Sequence, residues 1–241
     1  MGLTLRQHFR NLFGRRFIFA LGARLYSWMT WERTFRDHCA SLADFFPPPR
    51  ADGRPLAVLD LGIGPGISAI GLLDRRPDLQ IVGLDFARTM LRQAQRYLRE
   101  AECAVELVHG DVTHLPFADA SFDIVTHHSF LYLLRQRETA LREIARVLRP
   151  GGAYVIFEPN QDGRLHRLLL SGGAPRFLLA MTMWRVLSEG YGRFRADELT
   201  ALLAAHGLRD IHVEPTISGL GLLARATRAP ERRGALAAPG A

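Results

Sequence analysis

VLDLGIGPGISAIGLLDRRPDLQIVGLDFA, from Val58 to Ala87, is the stretch whose reading decides the fold. An apolar run from Leu56 to Leu61 leads into a loop with glycine at Gly62, Gly64 and Gly66, then a helical segment to Arg75, then a second apolar run that ends in Asp85. That pattern predicts a strand, turn, helix, strand unit. Glycines at alternate positions let the backbone turn sharply and approach a ligand closely. A carboxylate at the tip of the next strand is placed to hold a pair of ribose hydroxyls. A nucleoside-containing ligand is the first expectation.

The dinucleotide fingerprint GxGxxG needs a third glycine where this chain has Ile67. The spacing is instead GxGxG, preceded by Asp60. In this form, Asp60-Leu61-Gly62-Ile63-Gly64-Pro65-Gly66 resembles motif I of the class I S-adenosylmethionine (SAM)-dependent methyltransferases. Three further segments are similar to that family's. His109-Gly110-Asp111-Val112 followed by Leu115-Pro116-Phe117 looks like its GD…LPF segment, Ser121-Phe122-Asp123 like its SFD strand, and Leu148-Arg149-Pro150-Gly151-Gly152 like its LxPGG turn. With these four motifs in order over residues 56–158, the chain resembles the group that includes ubiquinone and menaquinone C-methyltransferases and small-molecule or lipid methyltransferases.

The resemblance implies roles by position. Gly62, Gly64 and Gly66 approach the methionine part of SAM with Asp60 near its amino group; Asp85 binds the ribose; Phe86 lies against the adenine, Asp111 accepts from its amino group and Val112 packs on the ring. Thr126, His127 and His128 follow the fourth strand and fall near the sulfonium. Methyl transfer needs mostly proximity and orientation, with a base only when the acceptor must lose a proton. His127 and His128 are the candidates for that base, since neutral imidazole accepts a proton near neutral pH. Glu158, at the end of the fifth strand, is a substrate contact or a structural ion pair. Tyr26 stands where quinone-methylating relatives carry Tyr-Asp, but Ser27 replaces the Asp. No third ligand accompanies His109 and His114, so no metal is expected.

Outward from the motifs, strands alternate with helices: Gln80 to Asp85, a helix Ala87 to Ala101, Val105 to His109, Phe122 to His127, a helix Arg137 to Leu148, Ala153 to Glu158, a helix Ala196 to His206, then Ile211 to Glu214 and Leu220 to Ala226. This predicts a doubly wound, mostly parallel, seven-stranded Rossmann-like sheet over residues 55–227, with ligands at the carboxyl ends of its strands. The last two strands form an antiparallel edge hairpin in that family. Residues 159–194 break the alternation with dense apolar residues, including Met181 and Trp184, and predict a helical lid over a hydrophobic pocket or a helix packed on the N-terminal extension. Residues 228–241 read as a disordered tail.

Residues 1–54 form a helical extension. Phe9, Leu12, Phe13, Phe17, Leu21, Leu25 and Trp28 recur at helical spacing among arginines, and Trp31 to Phe46 continues as an amphipathic helix. The apolar run Phe17 to Ala23 is far short of the ~20 residues that span a bilayer. An interfacial helix touching a membrane through residues 1–31, or a helix that caps the domain, fits the pattern. All 31 basic residues are arginine, against 24 acids, for a net charge of +7. The excess sits at the two ends: nine Arg against four acids in residues 1–54, and four against one in residues 220–241. Basic ends meet nucleic acid or an anionic membrane. Thr126-His127-His128-Ser129 lacks the Asn/Asp-Pro-Pro-aromatic motif that holds a flipped base, which disfavours nucleic acid. Cys39 and Cys103 have neither disulfide nor zinc spacing, so a reducing compartment is expected: the cytoplasm, with contact on the inner face of the membrane. The function expected is methylation of a hydrophobic small molecule, lipid or quinone; the alternatives are a soluble O- or N-methyltransferase of an aromatic metabolite and a SAM-binding protein without turnover.

Overall fold

The computed structural model describes residues 33–170 and 172–230. Seven strands form one sheet: β1 Leu56–Leu61, β2 Leu79–Asp85, β3 Val105–His109, β4 Phe122–His128, β5 Leu148–Pro159, β6 Leu208–Thr216 and β7 Gly221–Arg228. Their order is β3-β2-β1-β4-β5-β7-β6. All pairings among β1 to β5 are parallel, and β7 runs antiparallel to both neighbours. The winding reverses between β1 and β4, which opens a crevice at the carboxyl ends of those strands. The described helices are α1 Arg33–Ala40, α2 Ile67–Arg75, α3 Arg88–Glu100, α4 Arg137–Val147, α5 Leu165–Leu170, α6 Pro175–Tyr191 and α7 Ala196–Ala205.

Successive side chains of a strand face opposite sides of the sheet, and both faces here are covered. One layer joins Val58, Ile124, Val155 and Phe157 to α1, α2, α3 and α6 through Phe35, Ile70, Leu98 and Trp184. The other joins Leu59, Val125, Tyr154 and Ile156 to α4 and α7 through Leu141, Ile144, Leu199 and Leu203. Helix α1 enters the first layer by Phe35 and Cys39, its buried residues. It crosses α2 at Gly71, where an added Cβ would lie 2.7 Å from the Arg36 carbonyl oxygen. A glycine inside a helix costs about 1 kcal/mol relative to alanine; this one admits the backbone of α1.

Three expected boundaries move. The helix expected to run to Phe46 ends at Ala40 and tightens into a 3₁₀ turn, Ser41–Phe45, with the Ser41 hydroxyl donating to the His38 carbonyl at 2.7 Å. Strand β5 begins at Leu148 rather than Ala153, because Leu148 pairs with Phe122 before the register shifts. Strand β6 begins at Leu208, where it pairs with Arg228. Asp123 of the SFD segment lies at the opposite end of the strands from the crevice. It accepts from Arg50 at 2.5 Å, from Arg149 at 2.6 Å and from the Ala57 amide at 2.8 Å, and so ties the incoming linker and the LxPGG turn to β4. No helix among the described residues is long and apolar enough to cross a membrane.

Candidate active site

The glycine loop builds one side of the crevice. Gly62, Gly64 and Gly66 have φ of 64°, 55° and 83°, the left-handed region that strains any residue with a Cβ. The Gly62 and Ile63 amides donate to the Leu84 carbonyl at 2.7 and 3.1 Å, which pins the loop to β2. The Phe130 ring lies so close to Gly62 that an added Cβ would sit 2.3 Å from it, a second reason for glycine there. Helix α2 starts at Gly66 with no side-chain cap, leaving its first amides for an anionic group.

Asp85 closes β2. Its Oδ2 accepts the Gly64 amide at 2.9 Å and its Oδ1 the Ala87 amide at 2.7 Å, so one carboxylate holds the glycine loop and the start of α3 in register. Burial raises its pKa against the pull of those two bonds. Each oxygen keeps a lone pair that a ribose hydroxyl can fill. Phe86, 67% exposed, stacks on His109 with ring centroids 6.4 Å apart. His109 Nε2 donates to the Phe86 carbonyl at 3.0 Å, which fixes its tautomer, because a carbonyl only accepts. Asp111 caps its own turn, with Oδ1 accepting the Thr113 amide and hydroxyl, both at 2.9 Å. Val112 is buried in the same cluster as Leu84 and Leu115. Asp60 is 1% exposed and accepts the Ser68 hydroxyl at 2.7 Å. Burial pushes its carboxyl up to about 7, with the Ser68 bond opposing and the Asp85 charge adding.

The adjacent histidines of β4 part company. His127 faces the α4 and α7 side, where its Nε2 is 2.7 Å from the Tyr154 hydroxyl and its Nδ1 is 3.3 Å from a Glu158 oxygen. Burial pulls its pKa down to about 3, so that contact is not a charge pair. His128 faces the α1 side and lines a cleft of about 320 Å³, open to solvent, with Phe35, Cys39, Gly62, Ile63, Gly64, Pro65 and Ser68. Burial holds its pKa well below the ordinary histidine value, with the His38 and His127 charges acting in the same direction.

This geometry bears on the residues expected at the reaction side. His127 is no base for the cleft, because strand alternation turns it to the other face. Glu158 is no substrate contact: it is fully buried and accepts the amides of Phe130, Leu131 and Tyr132 at 3.0, 2.7 and 3.0 Å. Burial pushes its carboxyl up to about 8 in spite of those three donors. Arg137 takes the Tyr132 carbonyl of the same loop at 2.8 Å, so the loop that places Phe130 on Gly62 is held from both sides. Thr126 has spent its hydroxyl on the Val155 carbonyl at 2.7 Å, inside the sheet. Met181 and Trp184 of α6 are buried in the layer that contains Phe35 and Phe157. Tyr26 lies outside the described residues.

A family model described as a methyltransferase domain matches residues 58–152. The demethylmenaquinone methyltransferase of Thermus thermophilus is 35% identical over 164 residues, covering 64% of this chain and 74% of that one. The chain belongs to the class I SAM-dependent methyltransferases. A malonyl-[acyl-carrier protein] O-methyltransferase of Pseudescherichia vulneris is 32% identical over 181 residues, 70% of this chain and 69% of that one. Among solved structures, the Haemonchus contortus phosphoethanolamine N-methyltransferase 2 in complex with SAM superposes with a TM-score of 0.68 at 17% identity. That match covers 92% of this methyltransferase and 60% of the other chain, a likeness of fold.

The crevice of this methyltransferase fits its family's cofactor on its own evidence: a left-handed glycine loop, an uncapped helix start, a carboxylate with spare acceptors and an exposed aromatic ring beside it. Sequence reasoning missed the opposite wall, Phe35 and Cys39 of α1, as well as Phe130. The spacing Phe35, His38, Cys39, Leu42 marks a buried helical stripe, and Gly71 in mid-helix marks the surface it packs on.

Proposed function

We propose that the enzyme methylates a hydrophobic small molecule, a lipid or an isoprenoid quinone, at or near a membrane surface. The observation that carries this reading is the wall facing the glycine loop: Phe35 and His128 line the cleft, and Phe157 and Trp184 stack behind them with centroids 5.2 Å apart. Such a wall suits an apolar acceptor. The relative from Thermus thermophilus, named for demethylmenaquinone, agrees with this acceptor class.

In this reading Asp85 holds the ribose hydroxyls, Phe86 and Val112 flank the adenine, Asp111 accepts from its amino group, and Asp60 faces the ammonium group. Bound SAM supplies an electrophilic methyl group on a sulfonium. Around it, α1 and the loop at Phe130 exclude water, and His128 orients the acceptor. With its basicity lowered by burial, His128 works as a hydrogen-bond partner rather than as a strong base. Helices α5 and α6 act as a lid over this chamber. Leu169, Leu170, Leu179 and Val186 on them are exposed, Leu170 by 83%, with exposed Arg164 and Arg167 alongside. Apolar side chains flanked by arginine suit an anionic bilayer. The contact proposed for residues 1–31 lies outside the described residues.

The test is incubation of the full chain with tritium-methyl SAM and either a total lipid extract or water-soluble phenols. Enzyme-dependent label in the organic phase of the lipid reaction supports the reading; label only in a soluble phenol favours the aromatic-metabolite alternative. Flotation on phosphatidylglycerol against phosphatidylcholine vesicles, with the Leu169→Ser, Leu170→Ser pair as control, tests the membrane part; equal recovery on both counts against it.

A further inference from the structure

Behind the cleft, five rings from four elements converge. His128 stacks on Phe157 with centroids 4.4 Å apart and meets Phe35 edge-on at 5.1 Å. His38 meets His128 at 5.4 Å and Phe157 at 4.9 Å, and Trp184 stacks on Phe157 at 5.2 Å. Within this apolar cluster His38 Nε2, His128 Nε2 and Trp184 Nε1 are buried without a hydrogen-bond partner. Each such atom costs about 1–3 kcal/mol when left unmet, and native interiors leave only a few, seldom gathered in one place. Three of them, brought together by α1, β4 and α6, are the signature of a site whose ligand completes the bonding.

We propose that this cluster binds the methyl acceptor and selects an uncharged planar ring bearing a hydroxyl, with His38 and His128 as its polar contacts. The proposal rests on the methyltransferase reading of the adjoining cleft, which shares Phe35 and His128 with the cluster. A neutral imidazole nitrogen is a donor or an acceptor according to tautomer, and the indole N–H only donates. A hydroxyl both donates and accepts, so it satisfies either tautomer and the indole; an ether or carbonyl oxygen cannot meet an accepting nitrogen, so of the quinone acceptors proposed above the reduced, hydroxyl-bearing ring is the form that fits. Charged acceptors are rejected on the same ground. Burial takes His38 down to about 4 and His128 lower than its ordinary value, so neither offers a positive charge to a carboxylate at neutral pH. The nearby carboxylates are committed elsewhere: Asp60 to Ser68, and Glu158 to backbone amides on the other face of the sheet. An acceptor ring reaches the cluster from the cleft, where Phe35 and His128 present the aromatic wall against which a π-face can pack. His38 is thus a positioning and selectivity residue contributed by the helix that precedes the sheet.

The experiment uses the full chain saturated with S-adenosylhomocysteine (SAH) and three probes: 1-naphthol, naphthalene and 1-naphthoate. Titration calorimetry gives the affinities, and ring-nitrogen NMR of labelled histidine reports the contacts. One satisfied buried hydrogen bond predicts that 1-naphthol binds at least about tenfold tighter than naphthalene. 1-Naphthoate should bind more weakly than either, and two histidine ring nitrogens should shift with the naphthol alone. His38→Phe should bring the naphthol preference down to about twofold or less while SAH affinity holds, and His38→Gln, which retains a donor and an acceptor, should keep the preference. Equal binding of naphthol and naphthalene by the wild type, or an undiminished preference in a His38→Phe protein that still binds SAH, overturns the proposal while leaving the cofactor reading intact. Failure of the wild type to bind SAH overturns both.

Discussion

Replacing Asp60 by Asn removes a buried charge while keeping an oxygen for the Ser68 hydroxyl, and its effect depends on pH with a definite sign. The carboxyl is held at about 7 in the fold against an ordinary value of 3.8, chiefly by burial. Between those values the folded protein keeps a proton that the unfolded chain has released, so the contribution of this group to stability falls as pH rises from 3.8 to 7 and is flat above. At ~1.4 kcal/mol per pH unit, the full difference is about 4 kcal/mol, an upper bound because local relaxation and water entry relieve part of the burial cost. In the ligand-free protein, Asp60→Asn is therefore expected to raise the melting temperature at pH 8 by several degrees, at roughly 2–4 °C per kcal/mol for a chain of this size. At pH 5, roughly a third of the way from 3.8 to 7, the same substitution should raise the melting temperature by only about a third as much. The anion is also the proposed partner of the cofactor's ammonium group, so SAH affinity at pH 8 should fall by about tenfold or more. Thermal melts at both pH values, with calorimetry at pH 8, check this. An Asp60→Asn protein no more stable than the wild type at pH 8, or stabilised equally at pH 5, would refute the buried-charge reasoning.

Three other substitutions probe the frame. Gly71→Ala should destabilise by about 1–3 kcal/mol in urea unfolding, because the added methyl meets the α1 backbone; the gain of about 1 kcal/mol normal for this change in a helix would show that α1 does not pack there. Glu158→Gln puts an amide N–H against one of three backbone donors, and a loss of about 2–4 kcal/mol is expected, from unmet buried donors; a neutral result would mean that the loop at Phe130 is held otherwise. Asp85→Ala removes both the proposed ribose acceptors and the tie to Gly64, and SAH affinity should drop by about a hundredfold in calorimetry, the worth of two charge-assisted hydrogen bonds.

Much of the frame was readable because it is local. The strand-loop-helix-strand unit is written in contiguous residues, and β3 and α2 fall at the expected positions, Val105–His109 and Ile67–Arg75. The placement of Asp85, Phe86 and Asp111, the residues proposed for the adenosine, is equally local, since they sit at strand tips whose position follows from the alternation. The acceptor side was not legible, because it depends on which face each side chain takes and on contacts between distant segments. His127 and His128 are equivalent in the sequence; the pleat alone sends one to Tyr154 and the other to the cleft. Glu158 stood open between a substrate contact and a structural ion pair until the fold placed three consecutive amides of the β4 loop around it. His38 carried no motif, and its meeting with His128 spans the distance from α1 to β4.

A crystal structure of the full chain with SAH would decide where the methyl group meets its acceptor. The ribose hydroxyls should lie on Asp85, the adenine beside Phe86, and the sulfur should be directed at the wall formed by Phe35 and His128. A ligand whose sulfur points instead to the His127 and Glu158 face of the sheet, or one bound away from the glycine loop, would overturn this assignment.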